Sequence, residues 1–181
     1  YFDQERFADP ANSIRGGIPV LFPICGNLPN DCLPLNCGDF VLKQHGFARD
    51  LAWQIELLAD QSGVMLTLND CAETRKVYPF GFCIQMEMRP LKAALEISIS
   101  ITNTSESASE PMPFSFGLHP YFNVSDLSRT DVEGLPGRCF NHLGMAEAES
   151  AAQLSRLHQG VDFLTHSSGP VTLIDQQSGA R

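Results

Sequence analysis

Two histidines and two arginines, each near glycine, are the residues in this chain best suited to chemistry on a small polar molecule. His45 stands in the run Gln44-His45-Gly46-Phe47-Ala48-Arg49-Asp50-Leu51-Ala52-Trp53, and Arg15 heads Arg15-Gly16-Gly17-Ile18-Pro19-Val20-Leu21-Phe22-Pro23. Glycine lets the backbone approach a ligand closely, while proline and aromatic neighbours hold a loop in place. His119 lies in Phe114-Ser115-Phe116-Gly117-Leu118-His119-Pro120-Tyr121-Phe122. In an extended run, Phe114, Phe116 and Leu118 share one face and Ser115, Gly117 and His119 the other, so the imidazole leaves the greasy side. Such a histidine is either a proton donor in a cleft or a strand residue bonded to a backbone carbonyl.

Arg49 follows His45 by four residues and offers a planar fork of donors for a phosphate or carboxylate. Arg15 suits sugar hydroxyls or a phosphate, and equally a solvated surface charge. Arg75, in Glu73-Thr74-Arg75, carries the same two readings and is kept as a candidate substrate contact. Asp162, beside Phe163, can accept hydrogen bonds from two hydroxyls or simply serve a turn. His142, His158 and His166 lie in polar, loop-like surroundings and receive no role. Cys25, Cys32, Cys37 and His45 are spaced too widely and irregularly for a structural zinc site. Ser115, His119 and Asp126 contain the letters of a hydrolase triad, but no G-x-S-x-G elbow accompanies them. Neither a phosphate loop nor a dinucleotide fingerprint occurs.

The elements that must position these residues read as strands. From Leu95 to Thr102, apolar Leu95, Ile97, Ile99 and Ile101 alternate with Glu96, Ser98, Ser100 and Thr102. Residues 83–89 repeat the pattern through Ile84, Met86 and Met88, and 89–92 supply a hairpin connection, predicting an antiparallel pair. Residues 64–68 and 171–174 are further short apolar runs, the latter ending in the turn signal 175–179. Leu51, Trp53, Ile55 and Leu57 also alternate. Only residues 145–157 suit a helix by propensity, a preference that tertiary context overrides readily in a strand-rich chain. Residues 105–113 read as a polar surface loop. Many short strands predict an all-β, largely antiparallel sandwich in one domain.

With 181 residues and 43% hydrophobic composition, the chain can bury a substantial core. Its 12 basic and 21 acidic residues give a net charge of −9, which argues against nucleic acid or an anionic membrane as the main partner. No apolar run is long enough to span a bilayer, and a cytoplasmic location is the expectation. The six cysteines are dispersed and expected to be free thiols.

Taken together, Arg15-Gly-Gly-Ile-Pro-Val-Leu-Phe-Pro23, His45-Gly-Phe-Ala-Arg49 with Trp53, Glu73-Thr-Arg75 with Pro79, Leu118-His-Pro-Tyr-Phe122 and Val132-Glu-Gly-Leu-Pro-Gly137 resemble the aldose 1-epimerase superfamily. Specifically, they resemble the hexose-6-phosphate mutarotase (glucose-6-phosphate 1-epimerase) branch. The resemblance implies a large galactose mutarotase-like antiparallel β-sandwich with an open sugar cleft. It also implies an isomerase that interconverts α and β anomers by opening the sugar ring, with no metal or organic cofactor. By the same resemblance, His119 protonates the ring oxygen and His45 polarises that region. Arg15 and Asp162 hold hydroxyls, and Arg49 helps receive the phosphate.

The family's base is a glutamate in a C-terminal segment with no counterpart before Arg181, and the usual N-terminal strands also have none. The expectation is therefore a single mutarotase-like domain over residues 1–181, incomplete at both ends, with severely weakened or no activity if these residues act alone. A non-catalytic sugar- or sugar-phosphate-binding sandwich and an epimerase of unphosphorylated aldoses are the alternatives.

Overall fold

In the computed structural model, residues 1–9, 15–105 and 111–181 are described. Contacts divide them into two compact units, Phe2–Tyr121 and Phe122–Arg181, the latter together with Tyr1.

In the Phe2–Tyr121 unit, β1 (Val20–Leu21), β2 (Cys32–Leu35), β3 (Gly38–Val41), β4 (Gln54–Leu57), β5 (Val64–Asn69), β6 (Phe82–Pro90), β7 (Leu95–Asn103) and β8 (Gly117–Leu118) accompany two helices, α1 (Gln4–Ala8) and α2 (Ala72–Val77). The largest sheet has the order β4-β5-β6-β7, all antiparallel. The alternation in 83–89 and 95–102 therefore becomes the paired strands β6 and β7, with Ile84 opposite Ile101 and Met88 opposite Ile97. The connection between them closes through Leu91 N–H donating to Ala94 O at 2.7 Å.

Burial along this sheet is uneven. Ile84 and Met86 of the central β6 are buried, and Ile97 and Ile101 of the edge strand β7 are half-covered. Leu95 and Ile99 are exposed, as are Ile55 and Leu57 of the other edge, at 66% and 74%. Alternation identified the strand faces, but a strand at a sheet's edge has a neighbour on one side only, so its apolar face is covered less completely.

Phe22 is the centre of the core. Fully buried, its ring lies 5.0 Å from Phe82, 5.8 Å from Tyr78 and 6.1 Å from Phe47. Such edge and tilted contacts suit the aromatic quadrupole. The Tyr78 hydroxyl, deep in this cluster, donates to Pro113 O at 2.8 Å, and burial pushes its pKa upward.

The Phe122–Arg181 unit holds β9 (Thr130–Glu133), β10 (Arg138–Asn141), β11 (Ala146–Glu149), β12 (Phe163–Leu164), β13 (Thr172–Asp175) and the helix α3 (Ser150–Leu154). Its sheets have the orders β11-β10-β12 and β13-β9, again antiparallel. The helix expected over 145–157 is a correction: its first part is β11, paired with β10, and only Ser150–Leu154 is α-helical. Cross-strand pairing overrides the helix preference of Ala146, Glu147 and Ala148. The turn expected at 175–179 forms around Asp175, whose carboxylate accepts from Ser125, Gln177 and Ser178. Of the polar loop expected over 105–113, residues 106–110 lie outside the described residues. All six cysteines are free thiols.

Candidate active site

The Arg15 and His119 motifs meet because they form one antiparallel ladder. Val20 pairs with Leu118 and Leu21 with Gly117. Beyond these strand residues the pattern continues at every second position: Ser115 N–H donates to Pro23 O at 2.9 Å, His119 N–H to Pro19 O at 3.0 Å and Tyr121 N–H to Gly17 O at 3.0 Å. Phe116 and Leu118 pack against the core, which leaves Gly117, His119 and Tyr121 on the other face. Phe114 deviates from the expected burial: its ring touches Phe22 at 5.8 Å, yet the side chain is exposed.

His45 reaches the same place through the backbone of Phe22. Phe22 O accepts N–H donors from Phe47 at 3.0 Å and Ala48 at 3.2 Å, folding residues 46–48 over the core. Gly46, with φ of +69°, makes that fold possible: a Cβ there would stand 2.2 Å from Phe22 O. Trp53 Nε1–H braces the corner by donating to Ala48 O at 3.0 Å. His45 itself adopts φ of +66°. Its N–H donates to Gly26 O at 2.8 Å, and Gly26 N–H donates back to Nδ1 of the ring at 2.9 Å. Nδ1 is therefore an acceptor, so the neutral ring carries its proton on Nε2.

The imidazoles of His45 and His119 lie with ring centroids 6.3 Å apart, edge to face. Burial, the Arg49 guanidinium and His119 together hold the His45 pKa below its ordinary value. A neutral Nε2–H donor thus stands beside a second, exposed imidazole. Tyr121 extends the row: its ring is 5.1 Å from that of His119, and its hydroxyl accepts from Arg15 Nη1 at 3.3 Å. Arg49 donates to Gln44 O at 3.2 Å and remains substantially exposed.

His45, His119, Arg15 and Arg49 are accordingly brought into one neighbourhood. Arg75, on α2, points its Nε at Asp70 Oδ2, 2.5 Å away, and Asp70 Oδ1 also accepts from Phe82 N–H. Asp162 lies in the other unit, where His142 Nδ1 is 3.1 Å from its Oδ1 and His142 N–H donates to its carbonyl at 2.9 Å. Two participants were not singled out from the sequence. Gly26 acts through its peptide group, which leaves no side-chain signature. Tyr121 was discoverable, because it stands two residues beyond His119 and shares its face.

The sequence profile described as aldose 1-epimerase matches residues 8–166. Relatives from Escherichia coli (strain K12) and Cenchrus ciliaris, both called "Putative glucose-6-phosphate 1-epimerase", are 33% and 34% identical. Each match takes in 75% of this chain, and 41% and 40% of those proteins, so the chain spans about four tenths of their length. The crystal structure of the Slr1438 protein from Synechocystis sp. PCC 6803 superposes with a TM-score of 0.87 at 34% identity, covering 98% of this chain and 62% of that one. A galactose mutarotase related enzyme from Lactobacillus acidophilus gives a TM-score of 0.63 at 27% identity, covering 83% and 50%. The fold is thus the all-β, largely antiparallel sandwich that alternation predicts, and galactose mutarotase-like as the resemblance implies.

Proposed function

Because the chain belongs to the aldose 1-epimerase family, we propose that the protein interconverts the α and β anomers of a hexose 6-phosphate. The observation that supports this reading most is the His45–His119 pair, 6.3 Å between ring centroids, with Arg15 and Arg49 in the same neighbourhood.

Anomer exchange breaks the bond between C1 and the ring oxygen. A proton must reach that oxygen as another leaves the C1 hydroxyl, giving an open aldehyde that turns about C1–C2 and recloses on its other face. His119, exposed on the open face of the ladder, supplies the first proton, and solvent water receives the one that leaves the C1 hydroxyl. His45 is a poor acid but a well-placed hydrogen-bond donor, because Gly26 occupies Nδ1 and leaves Nε2–H to polarise a sugar oxygen. Arg15 binds hydroxyls, and Arg49 supplies the permanent charge that a 6-phosphate requires. Arg75, whose Nε meets Asp70 Oδ2, is proposed as a further substrate contact.

NMR exchange spectroscopy on the anomers of glucose 6-phosphate tests this reading. Wild type is expected to accelerate exchange over buffer, and His119→Ala to lower the enzymatic rate by about 10²- to 10⁴-fold. Equal rates for the two proteins would remove His119 from the chemistry. Sugar binding without any acceleration would favour a non-catalytic sugar-binding sandwich, and equal turnover of glucose and glucose 6-phosphate an epimerase indifferent to phosphate.

A further inference from the structure

Arg15 and His119 are joined by a single side chain, that of Tyr121. Its hydroxyl accepts from Arg15 Nη1 at 3.3 Å, while its ring lies 5.1 Å from the His119 imidazole, tilted by 39°. The backbone fixes this arrangement from both sides. His119 and Tyr121 are two residues apart in extended chain, so their side chains share a face. Each residue's N–H is bonded across the ladder, to Pro19 O and Gly17 O. Opposite Tyr121, Gly17 has no atom within 4 Å of where its Cβ would be, which leaves space above the ladder. An exposed arginine ordinarily samples many rotamers, and an exposed imidazole can rotate about its own bonds. One aromatic ring ending in a hydroxyl restrains both.

We propose that Tyr121 is a positioning residue that couples sugar binding through Arg15 to proton delivery by His119, an inference that rests on the anomer-exchange reading above. The two halves of the side chain then have separable effects. The hydroxyl sets how well Arg15 is held for the ground-state sugar. The ring sets the angle at which His119 meets the ring oxygen.

The test compares Tyr121→Phe, Tyr121→Leu, Arg15→Ala and the Arg15→Ala/Tyr121→Phe double variant in the glucose 6-phosphate exchange assay, with sugar affinity followed by NMR titration. Tyr121→Phe should raise KM and weaken affinity roughly three- to tenfold with kcat changed less than about twofold, because the bond to Arg15 is lost while the ring beside His119 is kept. Tyr121→Leu should lower kcat by about ten- to a hundredfold, as expected when a reacting group is misaligned. Affinity in the double variant should match that of Arg15→Ala alone, since the two groups act as one unit.

Additive losses in the double variant, or a Tyr121→Phe protein indistinguishable from wild type, would overturn the proposal even if Tyr121→Leu failed to fold. If wild type binds the sugar without accelerating exchange, the anomer-exchange reading fails, and the affinity cycle alone decides the coupling to Arg15. No sugar binding by wild type would overturn both.

Discussion

His45 and His142 each meet a partner through Nδ1, yet they are built differently. The Nδ1 of His45 takes a hydrogen from a peptide N–H of Gly26, its own N–H returns to the same residue, and the loop is folded over Phe22. His142 Nδ1 meets the Asp162 carboxylate between two side chains that are 44% and 63% exposed. Water competes for the Nδ1–carboxylate bond of the second pair, whose backbones are also joined by His142 N–H to Asp162 O, whereas the bond at His45 Nδ1 comes from backbone whose own bonds secure the fold. The difference teaches that the backbone behind His45 decides which ring nitrogen carries the proton, while burial, Arg49 and His119 favour the neutral ring. A carboxylate beside an exposed histidine, the feature a sequence reader looks for, supplies a bond that water contests.

The sharpest way to break this contrast is to remove the framework. Gly46→Ala places a methyl 2.2 Å from Phe22 O in a left-handed backbone, and should cost about 3 kcal/mol or more of stability in urea unfolding. Gly179→Ala, at φ of +75° with open space around it, should cost only about 1 kcal/mol. Equal losses would show that the Phe22 corner is no stiffer than a surface turn.

A smaller effect follows from charge. Arg49→Ala removes one of the causes that depress the His45 pKa, so its NMR titration midpoint should rise towards the ordinary imidazole value. The same variant should raise KM for glucose 6-phosphate by about tenfold and leave unphosphorylated glucose nearly untouched.

Stability should also depend on pH through His45. Its folded pKa lies below the unfolded value of 6.5, so between the two the unfolded chain binds more protons and stability rises with pH. The stabilisation is fully present above the unfolded value and is lost as pH falls through the folded one. Urea unfolding across that window should show the slope in wild type and a flatter profile in His45→Gln. The smallest effect is expected at the exposed pair, where His142→Ala should change stability by less than about 1 kcal/mol.

Much of this architecture is legible in the sequence. Alternation located β6 and β7, because period-two side-chain placement is a direct consequence of the pleat, and a short apolar run located β5. The short motifs identified His45, His119, Arg15 and Arg49 as companions, although they are far apart in the chain. What escaped were features set by long-range backbone pairing. Residues 146–149 prefer helix locally but pair with β10, and Ile55 and Leu57 alternate correctly yet remain exposed at a sheet edge. The partners of Arg75 and Asp162, namely Asp70 and His142, depend on turn geometry that composition does not encode.

The most direct measurement is the tautomer and titration of the His45 ring by long-range proton–nitrogen NMR correlation. A ring protonated at Nε2 near neutral pH, with its midpoint below the ordinary imidazole value, is the predicted result. A proton on Nδ1, or a midpoint at or above that value, would contradict the claim that the Gly26 N–H fixes the tautomer and that burial beside Arg49 and His119 keeps this histidine a neutral donor.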